Sequence, residues 1–431
     1  MTSRCQTKRT ELVEPLKLLR TAFGKAVEAA HPSSTLPQRL PELPSGRLLV
    51  VGAGKAASAM VQAVEKHYPL ERLEGFVITR YEHKLPTKRI EVVEASHPVP
   101  DEAGYDATKR MLELLETLTE EDTVICLISG GGSALLTAPK SVTLAQKAAL
   151  TQDLLHSGAT IQEMNAVRKH LSSVKGGQLA QAAAPARVHS LILSDVVGDD
   201  LSSIASGPTS PDPTTFEDAL GILEHYEIDA PEARQHFERG IQGELEETPK
   251  PGSSVFENVT NTVIASNQKS LEAVADFFEE RGISAHILSS TVEGEAKEVA
   301  KMHAALAKQV AHHAQPFERP CALISGGETT VSVRDSAGKG GRNSEFALSL
   351  ALALDGLEEV YALAADTDGI DGSENNAGVF VTPEILNGKK REAREYLDAH
   401  DSYSFFKEQN ALLETGATNT NVNDLRVVLL L

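Results

Sequence analysis

The sequence predicts two α/β domains, each a sandwich of helices around a largely parallel sheet. Three observations carry that expectation. Short apolar runs alternate with segments of helical period, the pattern of parallel strands joined by helices. The alternation breaks at GELEETPKPGSSVFENV, a stretch of charge, proline, glycine and serine, and then restarts. The string LISGG occurs once on each side of that break, at 127–131 and at 323–327, each time after an apolar run. A chain of 431 residues has room for two such domains, expected at 1–245 and 258–431.

The elements follow in order. Residues 11–30 read as an amphipathic helix, and the proline-rich HPSSTLPQRLPELPSG as a linker. RLLVVGA has the continuous apolar character of a buried strand, and KAASAMVQAVEKH is helical. GFVITR and IEVVEASH are strands, followed by the helix EAGYDATKRMLELLETL. TVICLIS is a strand running into the first glycine loop; two helical patterns then lead to the strand VHSLILSDV. Beyond the break, NTVIASN, AHILSS, CALISGG, TTVSV, VYALAADTD and GVFVT read as strands. Helices are expected at QKSLEAVADFFEERG, EGEAKEVAKMHAALAKQVAHHA, SEFALSLALALDG and REAREYLDAHDSYSFFKEQN, and DLRVVLLL is a last buried strand.

Bulk properties narrow the function. A net charge of −20 opposes a nucleic-acid surface, which needs basic patches. No long uninterrupted apolar run suggests a membrane span, and MTSRCQTKRT lacks the apolar core of a signal peptide. Cys5, Cys126 and Cys321 form no CxxC or Cys/His pattern, so no structural zinc is expected, and a reducing cytoplasm is the default.

Several segments can carry chemistry. In VVGAGKAAS, Gly52, Gly54 and Ala57 fit the dinucleotide fingerprint, with a plain tight turn as the alternative. Leu49 and Ala56 rule out a Walker A loop, and GFVITR ends in Arg80 where an acidic residue usually holds a ribose. Lys55, at the start of a helix, suits an anion site instead. Ser129, Gly130, Gly131, Gly132 and Ser133 in SGGGSA, and Ser325, Gly326, Gly327, Glu328 and Thr329 in SGGETT, read as two strand-end loops open to an anion; close sheet–helix crossings are the alternative. Asp195, Asp199 and Asp200 lie just past a strand end, where hard oxygens suit Mg²⁺ and where turn-capping aspartates are equally common. Asp366, Asp368 and Asp371 echo a calcium loop without the glutamate spacing of an EF-hand. Arg342, in GKGGRNSEFAL, can fork onto a phosphate or carboxylate. NAVRKHLSSVKGGQLA, with Arg168, Lys169, His170 and Lys175, reads as a solvated basic helix face, and His97 in ASHPVPDEAG as structural.

Taken together, VGAGKAA, SHPVPDEAG, SGGGSALL, NAVRKHLSSVKGGQLA, SDVVGDDLSSIASGPT, SGGETTV, GGRNSEFAL, DTDGIDGS and TNTNVNDL stand in the order found in the class II glycerate kinases. The chain resembles that glycerate 2-kinase, or MOFRL, family over nearly its whole length. The resemblance implies a Rossmann-like first domain, a MOFRL-type second domain and an active site in the cleft between them. It implies transfer of phosphate from ATP to the 2-hydroxyl of D-glycerate with a divalent metal, giving 2-phosphoglycerate. The family's important lysine matches Lys55 and its arginine Arg342. The acidic loop matches Asp195, Asp199 and Asp200; Asp199 is the expected base and Asp195 and Asp200 the expected Mg²⁺ ligands, although the sequence does not distinguish these roles. The glycine loops are the expected seats of nucleotide and glycerate, in either order. No membrane or nucleic-acid partner is implied, and a homodimer is compatible with the reading. The rivals are an NAD(P)-dependent hydroxypyruvate reductase, suggested by the GAG turn, and a non-catalytic sugar-acid sensor.

Overall fold

The structure, a computed structural model, describes residues 2–333 and 338–431, with 2–13 as backbone only. Its strands form two six-stranded sheets. The first holds β1 (Leu48–Ala53), β2 (Leu73–Arg80), β3 (Glu91–Ala95), β4 (Thr123–Ile128), β5 (Arg187–Leu193) and β6 (Val259–Ala265), in the order β3-β2-β1-β4-β5-β6. β1 pairs in parallel with β4, from Leu48 opposite Thr123 to Ala53 opposite Ile128. β1 with β2, β2 with β3, and β4 with β5 are parallel as well. Every residue of β1 and β4 is buried, as expected of strands covered on both faces. On one face Leu49, Val51, Cys126 and Ile128 pack with Met111 and Leu115 of the helix Glu102–Leu115. The strand order reverses between β1 and β4, and open parallel sheets bind ligands beyond the strand ends at such a point.

The second sheet holds β7 (Ser284–Glu295), β8 (Cys321–Thr330), β9 (Val360–Asp366), β10 (Gly378–Val381), β11 (Leu412–Leu413) and β12 (Asp424–Leu430), in the order β11-β10-β9-β12-β8-β7. The expectation of a largely parallel sheet does not hold here. β7 and β8 are parallel, but β12 lies antiparallel between β8 and β9, and β10 is antiparallel to both β9 and β11. The loop 367–377 joins β9 to β10 without a crossover helix, so β10 must turn back beside its predecessor.

CALISGG and TTVSV, expected as two strands, are a single strand up to Thr330. Gly326 and Gly327 stay in the ladder, opposite Leu425 and Asp424 of β12, and Gly327 also faces Val292 of β7. Leu323 and Val428 pack on Phe346 and Leu350 of the helix Arg342–Leu354, while Ile324, Leu363 and Val427 join the opposite core.

The expected boundaries, 1–245 and 258–431, also need correction. The compact units are 32–264 and, together, 1–31 with 265–431. Leu19, Ala22, Phe23 and Ala26 of the leading helix Thr2–Ala30 recur at helical spacing and pack with Leu271, Val274 and Phe278 of the helix Asn267–Glu279. Each large side chain buried there contributes about 1.5–3 kcal/mol. Ser270 Oγ donates to Ala26 O at 2.9 Å, and Thr420 Oγ1 to Ala30 O at 2.9 Å. The charged stretch that suggested the boundary is stitched into the first unit instead: Phe216 N donates to Glu247 Oε2 at 3.0 Å, and Asp212 N to Pro249 O at 3.0 Å.

Candidate active site

The turns that follow β1 and β4 bind each other. Ser129 N donates to Ala53 O at 3.1 Å, Lys55 N to Gly130 O at 2.8 Å, and Ala56 N to Ser129 Oγ at 3.1 Å. Gly52 and Gly54 are required by this fit: a Cβ on them would lie 1.9 Å from Leu127 O and 2.0 Å from Ser129 Oγ. The N–H groups of Lys55 and Ala56, which a dinucleotide fingerprint would turn to a pyrophosphate, are thus engaged within the protein. Gly131 follows in the left-handed region at φ 81°, and a Cβ there would meet His97 Cδ2 at 3.0 Å and Lys55 Cγ at 3.5 Å. The predicted residues Lys55 and Gly131 therefore come together, and His97 joins them. Burial, with Lys55, Arg80 and His83 nearby, pulls the imidazole down to about 4, so His97 is neutral at pH 7.

Gly132 opens the one-turn helix Gly132–Leu135 and packs on Ala205, which a Cβ would approach to 2.9 Å. Ser133 lies in that turn and meets residues from elsewhere. Arg168 donates to its Oγ, Lys175 Nζ to its backbone O at 2.7 Å, and its Oγ lies 2.7 Å from Ser206 Oγ. NAVRKHLSSVKGGQLA is therefore not a solvated face. The helix ends at His170, after a Thr160–Glu163 capping box, and Lys169, His170 and Lys175 are buried. Lys169 pairs with Asp212 at 3.4 Å, and His170 Nε2 with Glu247 at 2.8 Å.

The three aspartates beyond β5 separate in role. Asp200 closes a turn: it accepts from Ser202 N at 3.1 Å, Ser202 Oγ at 2.8 Å and Ser203 Oγ at 2.6 Å. Partial burial raises its carboxyl, but the serine hydrogen bonds prevail and hold it below the usual range. Asp195 and Asp199 are half-buried, and Asp199 takes a left-handed φ of 56°. Among the described residues no three carboxylate, histidine or cysteine side chains form a metal cage.

The second unit gathers Arg342 with acidic residues from three strand ends. Arg342 Nε donates to both oxygens of Asp424, at 2.9 and 3.1 Å, and Nη2 to Asp366 at 2.7 Å. The carboxylates onto which it forks are the protein's own. Burial alone would lower the guanidinium; Asp424, Asp366 and Glu328 outweigh it and raise it. Asp366 is pushed up by burial and by Asp368, against the pull of Arg342. Asp371, read as part of a calcium loop, caps the helix Arg342–Leu354 by accepting from Asn343 N at 3.0 Å and Ser344 N at 2.8 Å. A pocket of about 350 Å³ opens beside this network, lined by Thr329, Thr330, Gly341, Arg342, Glu345 and His400.

The residues expected as a second anion loop are mostly structural. Ser325 Oγ meets His303 Nε2 at 2.8 Å. A Cβ on Gly326 would strike Asn267 Oδ1 at 1.8 Å, and one on Gly327 would strike Val292 N at 2.3 Å. Arg426 donates to Thr329 Oγ1 at 3.0 Å. Glu328 is half-exposed, 4.0 Å from Arg342. Sequence reasoning missed Asp424 and Arg426, whose buried pairing lies in a run read only as a strand; the charged residues inside the apolar DLRVVLLL were the available signal.

A model described as a domain of unknown function, DUF4147, matches residues 18–238, and the MOFRL family model matches 321–424. A D-glycerate 2-kinase of Thermotoga maritima is 43% identical, over 96% of this chain and 98% of its own. An Agrobacterium vitis protein with the provisional name hydroxypyruvate reductase is 47% identical, over 97% of this chain and 95% of its own. A crystal structure of glycerate kinase from Thermotoga maritima superposes with a TM-score of 0.89 at 42% identity, covering 97% of this chain and all of that one.

Proposed function

The chain belongs to the class II glycerate kinase (glycerate 2-kinase, MOFRL) family, and from that premise we propose that it transfers phosphate from ATP to the 2-hydroxyl of D-glycerate, releasing 2-phosphoglycerate and ADP. The observation that carries this reading is the pair of interlocked turns after β1 and β4, which hold Lys55 beside Gly131 at the point where the strand order reverses.

Phosphoryl transfer asks for positioning and charge neutralisation more than for covalent chemistry. The Lys55 ammonium supplies a mobile positive charge as negative charge shifts from the attacking to the leaving oxygen. His97, neutral beside it, adds a hydrogen-bonding group without more charge. Asp199, half-buried on the loop after β5, is assigned to accept the proton of the attacking hydroxyl. Arg342 is assigned to phosphoryl charge as well, held in place by Asp366 and Asp424.

Mg²⁺ takes one or two carboxylates together with phosphate oxygens. Asp195 fits, as a half-buried carboxylate just beyond β5; Asp200 is committed to the Ser202–Ser203 turn and leaves the set. A divalent ion, if held by Asp195, would neutralise charge on the nucleotide phosphates. Among the described residues no helix is long and apolar enough to cross a membrane. Cys126 and Cys321 are free, buried thiols, and we assign the protein to the cytoplasm on that ground.

The reductase reading is favoured by the Agrobacterium name and the GAG turn and is opposed by the engaged N–H groups of Lys55 and Ala56. Mg-ATP and D-glycerate, with the product identified by phosphorus NMR, test the proposal. 2-Phosphoglycerate and ADP are expected. A product that is solely 3-phosphoglycerate, or oxidation of a nicotinamide by hydroxypyruvate without ADP release, overturns it.

A further inference from the structure

Two cations, Arg168 and Lys175, reach Ser133, and a third, Lys147, acts on both through space; none has an acidic partner among the described residues. Lys147 is 5% exposed and Lys175 fully buried. Lys147 Nζ donates to Thr137 Oγ1 at 2.7 Å. Lys175 Nζ reaches Ser133 O at 2.7 Å, Leu136 O at 3.2 Å and Ser133 Oγ at 3.4 Å. Arg168 donates to Ser133 Oγ and, at 3.4 Å, to Asn165 Oδ1, while its buried Nε donates to no described group. Burial, with the charges of Lys147 and Arg168 adding to it, pushes the Lys175 ammonium well below the usual lysine range. Burial and Arg168 together bring Lys147 down to about 7.

This arrangement is costly as a purely structural device. Buried charges normally come paired, and an uncompensated one costs several kcal/mol. Lys147 also stands in the first turn of the helix Leu144–Ser157, where the dipole favours anions and opposes a cation. The loop that brings Ser206 to Ser133 is strained: Ala205 and Ser206 take left-handed φ of 51° and 60° in succession. Ser206 Oγ in turn donates to Asn165 Oδ1 at 3.3 Å, which leaves Ser133 donating to Ser206 and accepting from Arg168. Ser133 and Arg168 are half-buried, so the cluster opens at these two side chains.

We propose that Ser133 and Ser206, with Arg168 and Lys175 at Ser133 and Lys147 nearby, are the seat of an oxyanion, and that the carboxylate of the three-carbon acid occupies it. The seat stands on its own geometry; its occupant rests on the kinase reading. A carboxylate completes what the cluster lacks: acceptor oxygens for the unused donors of Arg168 and Lys147, and a negative charge that favours the charged forms of the two lysines. A phosphoryl group has the same oxyanion chemistry and is separated by experiment.

The test is calorimetric titration of D-glycerate, inorganic phosphate and ATP into the full-length protein and into Arg168→Met, Arg168→Lys and Lys147→Met. The methionines keep the apolar stems and remove the charge, and the lysine keeps a point charge if Arg168→Met fails to fold. D-Glycerate affinity should fall by about tenfold or more in both methionine variants, recover in part with lysine, and leave ATP affinity unchanged. A loss confined to ATP and phosphate keeps the seat and overturns the carboxylate as its occupant. Parent-like affinity for all three ligands in Arg168→Met and Lys147→Met overturns the seat. Failure of the kinase reading shows separately, as absence of 2-phosphoglycerate from the parent protein, because the titration needs no turnover.

Discussion

Lys55 and Arg342 are both cations expected at phosphoryl groups, yet their surroundings predict different losses. Lys55→Ala should lower kcat by about a hundredfold or more, the scale of one lost charge-stabilising donor, with the melting temperature little changed. Arg342→Ala leaves Asp366 and Asp424 buried without the guanidinium that links them, and breaking a buried pair costs about 3–5 kcal/mol. It should lose stability and turnover together, as read by thermal melts and steady-state kinetics; an unchanged melt contradicts the network. His303 gives a pH signature. Burial, with Arg426 nearby, brings it to about 4, and its neutral form sits between Val299 O at 2.9 Å and Ser325 Oγ at 2.8 Å. The unfolded chain binds that proton near 6.5, so this contribution is complete above that pH and is lost as the pH falls towards about 4. His303→Gln should show a shallower loss of stability between those values than its parent, and parallel curves would refute the assignment. The placement of Lys55 on the turn after β1 was legible because it directly follows a glycine turn at a strand end. Arg168 and Lys175 were not, because a run of basic residues on a helix looks the same whether the backbone carries it to water or into a core.

At the scale of the element, LISGG has two structures. After β4 the chain leaves the sheet at Ser129 and turns into a helix; in β8 the same five letters continue as strand, because β7 and β12 supply partners on both sides. Glycine in a strand interior marks a bulge or a close approach, and here Asn267 and Val292 are what approach. Periodicity cannot see those partners, which lie 30 or more positions away in the chain. Gly131→Val and Gly327→Val should therefore part company. The first carries a left-handed φ of 81° and a Cβ pressed on His97; strain of about 1–3 kcal/mol should leave the fold cooperative while turnover collapses. The second drives a side chain into the backbone of β7, so its melting temperature should fall far more and its activity should follow the folded fraction. Equal melts for the two variants would mean that both glycines serve the same role.

For the whole molecule, the apolar runs made both sheets legible, as did the alternation for the first sheet's parallel pairs. They did not show which unit the leading helix joins, because an amphipathic face declares that it will be covered and not by what. That helix belongs with 265–431, so a chain lacking residues 1–31 should expose Leu271, Val274 and Phe278 and aggregate. Supplying residues 1–31 as a separate peptide should restore solubility, while 32–264 expressed alone should melt cooperatively; a soluble, cooperative 265–431 would refute the pairing. The same arrangement sets a timetable on the ribosome. The helix Thr2–Ala30 has its partners encoded roughly 240 residues later, which at about 5–20 residues per second is a wait of roughly ten to fifty seconds. Throughout that interval Leu19 and Phe23 have no cognate surface, whereas residues 32–264 can complete their own core. The apolar face of this helix therefore stays uncovered until its partners are made, and codon changes that slow elongation between 32 and 264 should lengthen that exposure without altering a single residue of the finished protein.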